Sequence, residues 1–249
     1  MSGASISVVI PALNEEDTVV AVVRACLASV ASEVIVLDSD STDETAQRAT
    51  EAGARVVNWA EACPEVPTRP GKGEALWRGV RAAAGEIVVF VDADVTTAEP
   101  WWVGALAAPL ASPTVHMVKA SYRRAMGRSD SGGGRVTELT AKPLLRQLFP
   151  ELAGIDQPLA GEYAIRRSTA LRLPFVDGYG VEAGLLIDIA RVYGPAAIAQ
   201  AELGLRRHRN RPLEELARTA DEVAATILSR AGVGAARVSQ RPAEPPDRI

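Results

Sequence analysis

Short apolar runs alternate with amphipathic stretches along the first half of the chain. Ser5 to Ile10, Glu33 to Leu37 and Ile87 to Val91 are dominated by β-branched residues and read as strands, with Arg55 to Val57 as a shorter one. Between them, Thr18 to Ala28 carries a helical pattern. Ser41-Thr42-Asp43-Glu44 has the S-x-x-E spacing of a capping box and predicts a helix running to about Ala52. Trp59 to Gly73, with Pro64, Pro67, Pro70, Gly71 and Gly73, predicts a loop, after which Glu74 to Ala84 returns to helical spacing. Pro100 to Leu110 reads as a helix and Val115 to Tyr122 as a strand. Further helices are predicted around Val136 to Leu148, from Val181 to Tyr193 and from Leu213 to Ala231. Strands alternating with helices of about ten residues imply βαβ units and a mostly parallel sheet, a nucleotide-binding type of architecture. Gly234 to Ile249 holds three prolines and little apolar content, which predicts a frayed tail.

In such a sheet, ligands bind outside the carboxyl ends of the strands. Three polar segments fall there: Pro11-Ala12-Leu13-Asn14-Glu15, Asp38-Ser39-Asp40 and Asp92-Ala93-Asp94. Two carboxylates leaving one strand end suit a hard divalent cation that bridges protein to diphosphate oxygens, although D-x-D alone is common by chance. Neither G-x-G-x-x-G nor G-x-x-x-x-G-K-[ST] occurs, and Gly71-Lys72-Gly73 lacks the spacing and hydroxyl of the latter.

Composition narrows the class. The 249 residues are 47% hydrophobic and 23% charged, enough for a sizeable core, and the net charge of −4 argues against a general nucleic-acid partner. No stretch approaches the roughly 18 continuous apolar residues of a membrane span, and no secretory leader pattern opens the chain, so a cytoplasmic protein without a membrane partner is expected. Cys26 and Cys63 suggest neither a disulfide framework nor a cysteine metal site. Lys119 to Arg146, however, carries seven basic residues against Asp130 and Glu138. That local excess suits an anionic acceptor. Within it, Gly132-Gly133-Gly134 followed by Arg135, Val136 and Thr137 either opens a helix whose amides, guanidinium and hydroxyl bind phosphate, or forms a flexible linker. Arg206-Arg207-His208-Arg209-Asn210-Arg211 is either a basic surface loop or a stabiliser of a leaving nucleoside diphosphate.

Five ordered runs carry a resemblance: Val9 to Glu16, Leu37 to Asp43, Arg69 to Trp77, Gly132 to Leu139, and His208 to Pro212. They resemble glucosyl-3-phosphoglycerate synthases, which are retaining glycosyltransferases of the GT-A fold, and the similarity extends from about Ser5 to Val233. The resemblance implies an α/β fold, a GT-A-type Rossmann-like sheet with helices on both faces and a smaller acceptor-binding C-terminal part. Residues 1–122 would form the nucleotide-sugar half, 123–233 the acceptor half with the C-terminal helices, and 234–249 a flexible tail. Pro11, Ala12, Leu13, Glu15, Ser39, Lys72, Asp92 and Ala93 are implied for the donor, Asp94 and His208 for Mg²⁺ or Mn²⁺, and Gly134, Arg135, Thr137 and Asn210 for the acceptor. Lys72, Asp92, Glu182 and Arg206 are the implied catalytic set, with Glu182 either orienting the acceptor hydroxyl or serving as a buried structural carboxylate. The implied partners are a nucleotide-sugar donor and a phosphorylated small-molecule acceptor, and the implied assembly is a homodimer.

The implied reaction moves glucose from UDP-glucose to the 2-hydroxyl of 3-phosphoglycerate with retained configuration. GDP-mannose, another nucleotide sugar or another phosphorylated acceptor stays open, because Asp40 and Ala93 depart from the family inside otherwise matching motifs. A sugar-nucleotidyltransferase would need a Gly-rich loop where Pro11 to Asn14 stands, and a non-catalytic sugar-nucleotide sensor is the binding-module alternative.

Overall fold

The computed structural model describes residues 4–126, 129–132, 134–206, 213–234 and 238–245. The first-half apolar runs form β1 (Ile6–Ala12), β2 (Glu33–Asp38), β3 (Arg55–Asn58) and β4 (Ile87–Phe90). Around them lie α1 (Val19–Leu27), α2 (Thr45–Glu51), the one-turn α3 (Trp59–Ala62), α4 (Lys72–Ala82) and α5 (Trp101–Ala107). These strands pair in parallel in the order β3-β2-β1-β4, with Val9 opposite Ile35 on one side and Phe90 on the other. The chain therefore steps outward from β1 and then returns to its other side, so the β1/β4 gap is the topological switch point.

The second half supplies β5 (Met117–Met126), β6 (Ser129–Gly132), α6 (Lys142–Leu148), β7 (Tyr163–Arg166), α7 (Arg167–Leu171), β8 (Phe175–Val176), α8 (Val181–Tyr193), β9 (Ile198–Arg206), α9 (Leu213–Ala231) and β10 (Gln240–Arg241). β7 enters between β4 and β5, antiparallel to both, while β9 runs parallel to β5, giving eight strands among the described residues. The sheet is thus mixed in its second half, where a wholly parallel continuation would have been the simpler extrapolation.

Alternation along each strand divides the core into two layers. Val8, Ile10 and Val89 join Val22 of α1 and Trp102 and Leu106 of α5 on one face; Val9, Val88 and Phe90 join Leu76 of α4 and Leu186 of α8 on the other. Burial on both faces explains why β1, β2 and β4 read as continuous apolar runs. In α1 the buried positions Val19, Val22, Val23 and Cys26 follow helical spacing, which seats one stripe on the sheet. Cys26 and Cys63 are buried free thiols, and burial pushes the Cys26 thiol up to about 12. That makes Cys26 an inert packing group. Among the described residues no helix is long and apolar enough to cross a membrane.

Four expectations change. The loop expected from Trp59 to Gly73 opens with α3, where the Asn58 side chain accepts Ala60 N–H, and gives way to α4 already at Lys72. Ser41 and Glu44 form no capping box: α2 starts at Thr45, whose N–H is capped by Asp43 Oδ1 at 3.0 Å, while Glu44 pairs with Arg48. The Ser41 hydroxyl is instead spent on the neighbouring loop, accepting from Asn14 N–H. The helix expected over Val136 to Leu148 contains a π turn, Thr137–Ala141, before α6. Finally, the tail expected to fray from Gly234 is built into the fold over 238–245, because β10 pairs with β8 and the Arg241 guanidinium is buried against Glu74.

α4 begins where the chain passes very close to the turn after β8. A Cβ on Gly73 would stand 1.7 Å from Val176 O, so only glycine fits there. We expect Gly73→Ala to cost at least about 1–3 kcal/mol in denaturant unfolding. Gly154→Ala, where a Cβ meets nothing within 4 Å, should be neutral or slightly stabilising. Equal effects of the two would refute this account of the α4 contact.

Candidate active site

The loops leaving β1 and β2 brace each other before any ligand is considered. Ser39 N–H donates to Ala12 O at 3.0 Å, Asn14 N–H to Ser41 Oγ at 3.0 Å, Thr42 N–H to Asn14 Oδ1 at 2.8 Å and Glu15 N–H to Thr45 Oγ1 at 2.8 Å. Asn14 takes φ 55°, a left-handed conformation that Asn tolerates better than most residues. These bonds fix the strand-end loops as one rim, on which the apolar side chain of Leu13 is 55% exposed.

Beside that rim a chain of buried and half-buried charges crosses the switch point. Lys72 Nζ lies 2.7 Å from Asp92 Oδ1 and 2.8 Å from Glu182 Oε1. Arg206 Nη2 donates to the other oxygen of Asp92 at 2.8 Å, and its Nε and Nη2 form a fork on Glu162 at 2.9 Å each. Burial alone would lower the Lys72 pKa, but Asp92 and Glu182 outweigh it and hold the ammonium well above its ordinary value. Its position in the first turn of α4, where the helix dipole disfavours a cation, is tolerated for the same reason. Gly161, at the approach to β7, makes room for this arrangement, since a Cβ there would stand 2.2 Å from Asp92 Oδ2. A third buried cation, Lys119 of β5, donates to Ala160 O at 2.7 Å and sits over the Tyr163 ring; burial pushes its pKa down to about 7.

Asp94 differs from Asp92. Arg206 Nη2 is 3.9 Å from its carboxylate, beyond hydrogen-bond reach, and burial together with the Asp92 charge raises its pKa. A hard, poorly compensated oxygen anion facing a cavity has the chemistry of a Mg²⁺ or Mn²⁺ ligand. The fit to a divalent cation is therefore good at this residue. Among the described residues no group of three His, Cys, Asp or Glu side chains converges as a metal site. His208 and Asn210 lie outside the described residues.

A cavity of about 460 Å³ joins these parts. Pro11, Ala12, Leu13, Glu15 and Ser39 line it from the rim, Lys72, Asp92, Ala93, Asp94 and Arg206 from the charged floor, and Gly134, Arg135 and Thr137 from the far wall. Gly134 takes φ 80°, its carbonyl accepts Glu138 N–H at 2.9 Å, and the helical segment begins at Arg135. Gly134 therefore opens a helical turn at the cavity. Glu182 does not line the cavity; it is 3% exposed and stands behind Lys72.

Two participants went unread in the sequence. Trp59 lines the cavity, its indole N–H donating to Asp40 Oδ2 at 2.8 Å; an aromatic residue in a Pro- and Gly-rich stretch was the available signal. Glu162 had none, since a buried carboxylate is recognisable only through a partner 44 residues away.

The model of glycosyl transferase family 2 matches residues 7–170. Over 243 residues the chain is 52% identical to glucosyl-3-phosphoglycerate synthase of Mycolicibacterium paratuberculosis, covering 93% of this chain and 74% of that protein. It is 44% identical over 236 residues to the synthase of Petrotoga mobilis, covering 90% and 73%. The fold matches the Mycobacterium tuberculosis synthase solved with Mn²⁺, UDP and glucosyl-3-phosphoglycerate at a TM-score of 0.88 and 48% identity, over 96% of this chain and 87% of that one. A second structure of that enzyme, with Mn²⁺, UDP-glucose and phosphoglyceric acid, matches at 0.88 and 48% identity over 97% and 88%. With relatives this similar along nearly its whole length, the chain belongs to the glucosyl-3-phosphoglycerate synthase family, within glycosyl transferase family 2.

Proposed function

We propose that this enzyme transfers glucose from UDP-glucose to the 2-hydroxyl of 3-phosphoglycerate, with retained configuration and dependence on Mn²⁺ or Mg²⁺. The observation that carries this reading is the joining, in one cavity, of the braced β1/β2 rim, the Asp92/Asp94 floor and the Gly134–Thr137 wall. It accords with the ligands of the Mycobacterium tuberculosis enzyme.

Each wall has a distinct task. Pro11, Ala12, Leu13, Glu15 and Ser39 receive the nucleoside, and Asp92 and Ala93 face the ribose and the sugar. Asp94, with His208, would hold the cation, which offsets charge developing on the leaving diphosphate. Arg135, Thr137 and the amides at the start of their helical turn take the acceptor phosphate, and Asn210 belongs to the same subsite. Residues 1–122 thereby serve the donor and 123–233, apart from Arg206 and His208 on the donor side, the acceptor. Fixing both substrates in one cavity brings the acceptor hydroxyl to the face from which the diphosphate leaves. The C1–O bond to the β-phosphate breaks, the C1–O2 bond forms, and the hydroxyl proton passes to the departing diphosphate oxygen. Asp92 and Glu182 are committed to Lys72 and Arg206, which makes them poor covalent nucleophiles and supports attack from the leaving-group face. Glu182 acts as a positioning residue that aims Lys72. A cytoplasmic homodimer completes the reading.

The decisive test measures nucleoside diphosphate release and product mass, crossing UDP-glucose and GDP-mannose with and without 3-phosphoglycerate. Release from UDP-glucose that depends on acceptor and metal, with the mass of a hexosyl phosphoglycerate, is expected; acceptor-independent release would sink the reading. Asp94→Ala should lower kcat on the order of 10²–10³-fold with an unchanged far-UV circular dichroism spectrum, the scale of losing one preorganised electrostatic stabiliser. Retained activity there would remove Asp94 from the metal site. Arg135→Ala should raise the acceptor KM by roughly 10–100-fold, the worth of a charge-assisted phosphate contact, and leave the donor KM near its original value. A shift confined to the donor KM would reassign that wall.

A further inference from the structure

We propose that Arg241, on the C-terminal strand β10, is a positioning residue for the nucleotide-sugar site, acting through Glu74 and the 59–71 loop on Lys72. The inference rests on the donor reading of the cavity. It begins with a carboxylate that the reaction does not use. Glu74 is fully buried in the first turn of α4, two residues after Lys72, and two guanidinium groups converge on it. Arg78 Nε donates to Oε1 at 2.7 Å; Arg241 Nε and Nη2 form a fork on Oε2 and Oε1, each at 2.7 Å. Glu74 is thereby held below the usual carboxylate range: burial alone would raise it, and the two arginines outweigh burial.

The remaining donors of both arginines reach the loop before α4. Arg78 donates to the carbonyls of Trp59, Cys63 and Val66 at 2.9, 3.1 and 2.7 Å, and Arg241 to that of Pro67. Each guanidinium therefore spans from one buried anion to loop backbone, using the several fixed donors that a lysine lacks. This loop bears Trp59, Pro70 and Gly71, all of which line the cavity.

β10 acts on Lys72 by a second route. It pairs with β8, Asp177 N–H donates to Ser239 O at 3.1 Å, and Arg69 Nη1 bridges Asp177 Oδ2 and Gln240 O at 3.3 and 3.2 Å. Asp177 O in turn accepts Glu74 N–H at 3.1 Å. The C-terminal strand thus braces the turn against which Gly73 packs, and Lys72 projects from that junction into the donor floor. None of these contacts touches the Gly134–Thr137 wall.

The test uses the full-length chain with Arg241→Leu, Arg241→Lys and, as a control on the same tail, Glu244→Ala, which removes only the ion pair to Arg81. UDP affinity is read by titration calorimetry with Mn²⁺, alongside kcat and both KM values and the folded fraction by circular dichroism. Arg241→Leu should weaken UDP and raise the donor KM about tenfold or more, with the acceptor KM within about twofold, since a small misplacement of a positioning group is costly. Arg241→Lys should recover part of this and Glu244→Ala should match the unaltered enzyme. Unchanged UDP affinity in a folded Arg241→Leu overturns the proposal, and so does a loss explained by the unfolded fraction alone. Where Arg241→Leu does not fold, Arg241→Lys decides: an unchanged UDP affinity and donor KM overturns the assignment. If the unaltered chain fails to bind UDP, the donor reading and this inference fall together; binding without turnover leaves the inference standing and fails the acceptor reading.

Discussion

Everything in the site depends on how a run of buried charges is balanced. Glu162, Arg206, Asp92, Lys72 and Glu182 alternate in sign along one path, each neighbour within ion-pair distance, and Asp94 lies beside it. Taking such groups out of water costs several kcal/mol apiece unless each is paired and hydrogen-bonded, so a chain of this kind is a poor way to gain stability. What it provides is orientation. The carboxylate of Asp92 is claimed by a different cation on each oxygen, which leaves it no freedom to swing, and the two cations are held by Glu182 and Glu162 behind them. With four carboxylates against Lys72 and Arg206, the cluster has an excess of negative charge, which Lys119, its pKa lowered to about 7 by burial, offsets only in part. A divalent cation is the natural complement.

The fold supplies that cluster from elements far apart in sequence. Lys72 and Asp92 come from the parallel half around the switch point, Glu162 from the approach to β7, Glu182 from α8 and Arg206 from the end of β9. Only the antiparallel insertion of β7 between β4 and β5 brings the second group alongside the first. The two-layered core does the mechanical work: each strand contributes alternate residues to opposite faces, so the sheet cannot slip register without moving its apolar side chains out of their layer.

How much of this was legible depended on the range of the interaction. β1, β2 and β4 are buried on both faces, and such strands announce themselves as apolar runs; the carboxylates at their ends followed directly. Pairing across the sheet leaves no local trace, so β7 and β9 went unread, although Ala201 and Leu203 of β9 alternate with exposed Gln200 and Glu202. The capping box was misread because the Ser41 hydroxyl serves the β1 loop, accepting from Asn14 N–H, and Asp43 takes its place as the cap of Thr45. The tail was misread for a related reason: prolines suppress helical and strand patterns, while what anchors 238–245 is pairing with distant β8 and an arginine meeting a carboxylate 167 residues away. For Glu182 the resemblance left two roles open, orienting the acceptor hydroxyl or serving as a buried carboxylate, and only the fold shows it one side chain behind the cavity, against Lys72.

The insertion of β7 also has a bearing on the order of folding. β1 to β4 and their helices are contiguous in sequence and close only short loops, so the donor rim can assemble early, while β7, β9 and β10 must close much longer ones. Until they do, Asp92 and Asp94 stand at the end of a formed strand with Lys72 as the nearest compensating charge, and the groove that β7 will fill exposes an unpaired edge of β4. Completion of the active site thereby waits on long-range pairing, and a chain with only its first half in place would lack Glu162, Glu182 and Arg206 and expose an adhesive strand edge.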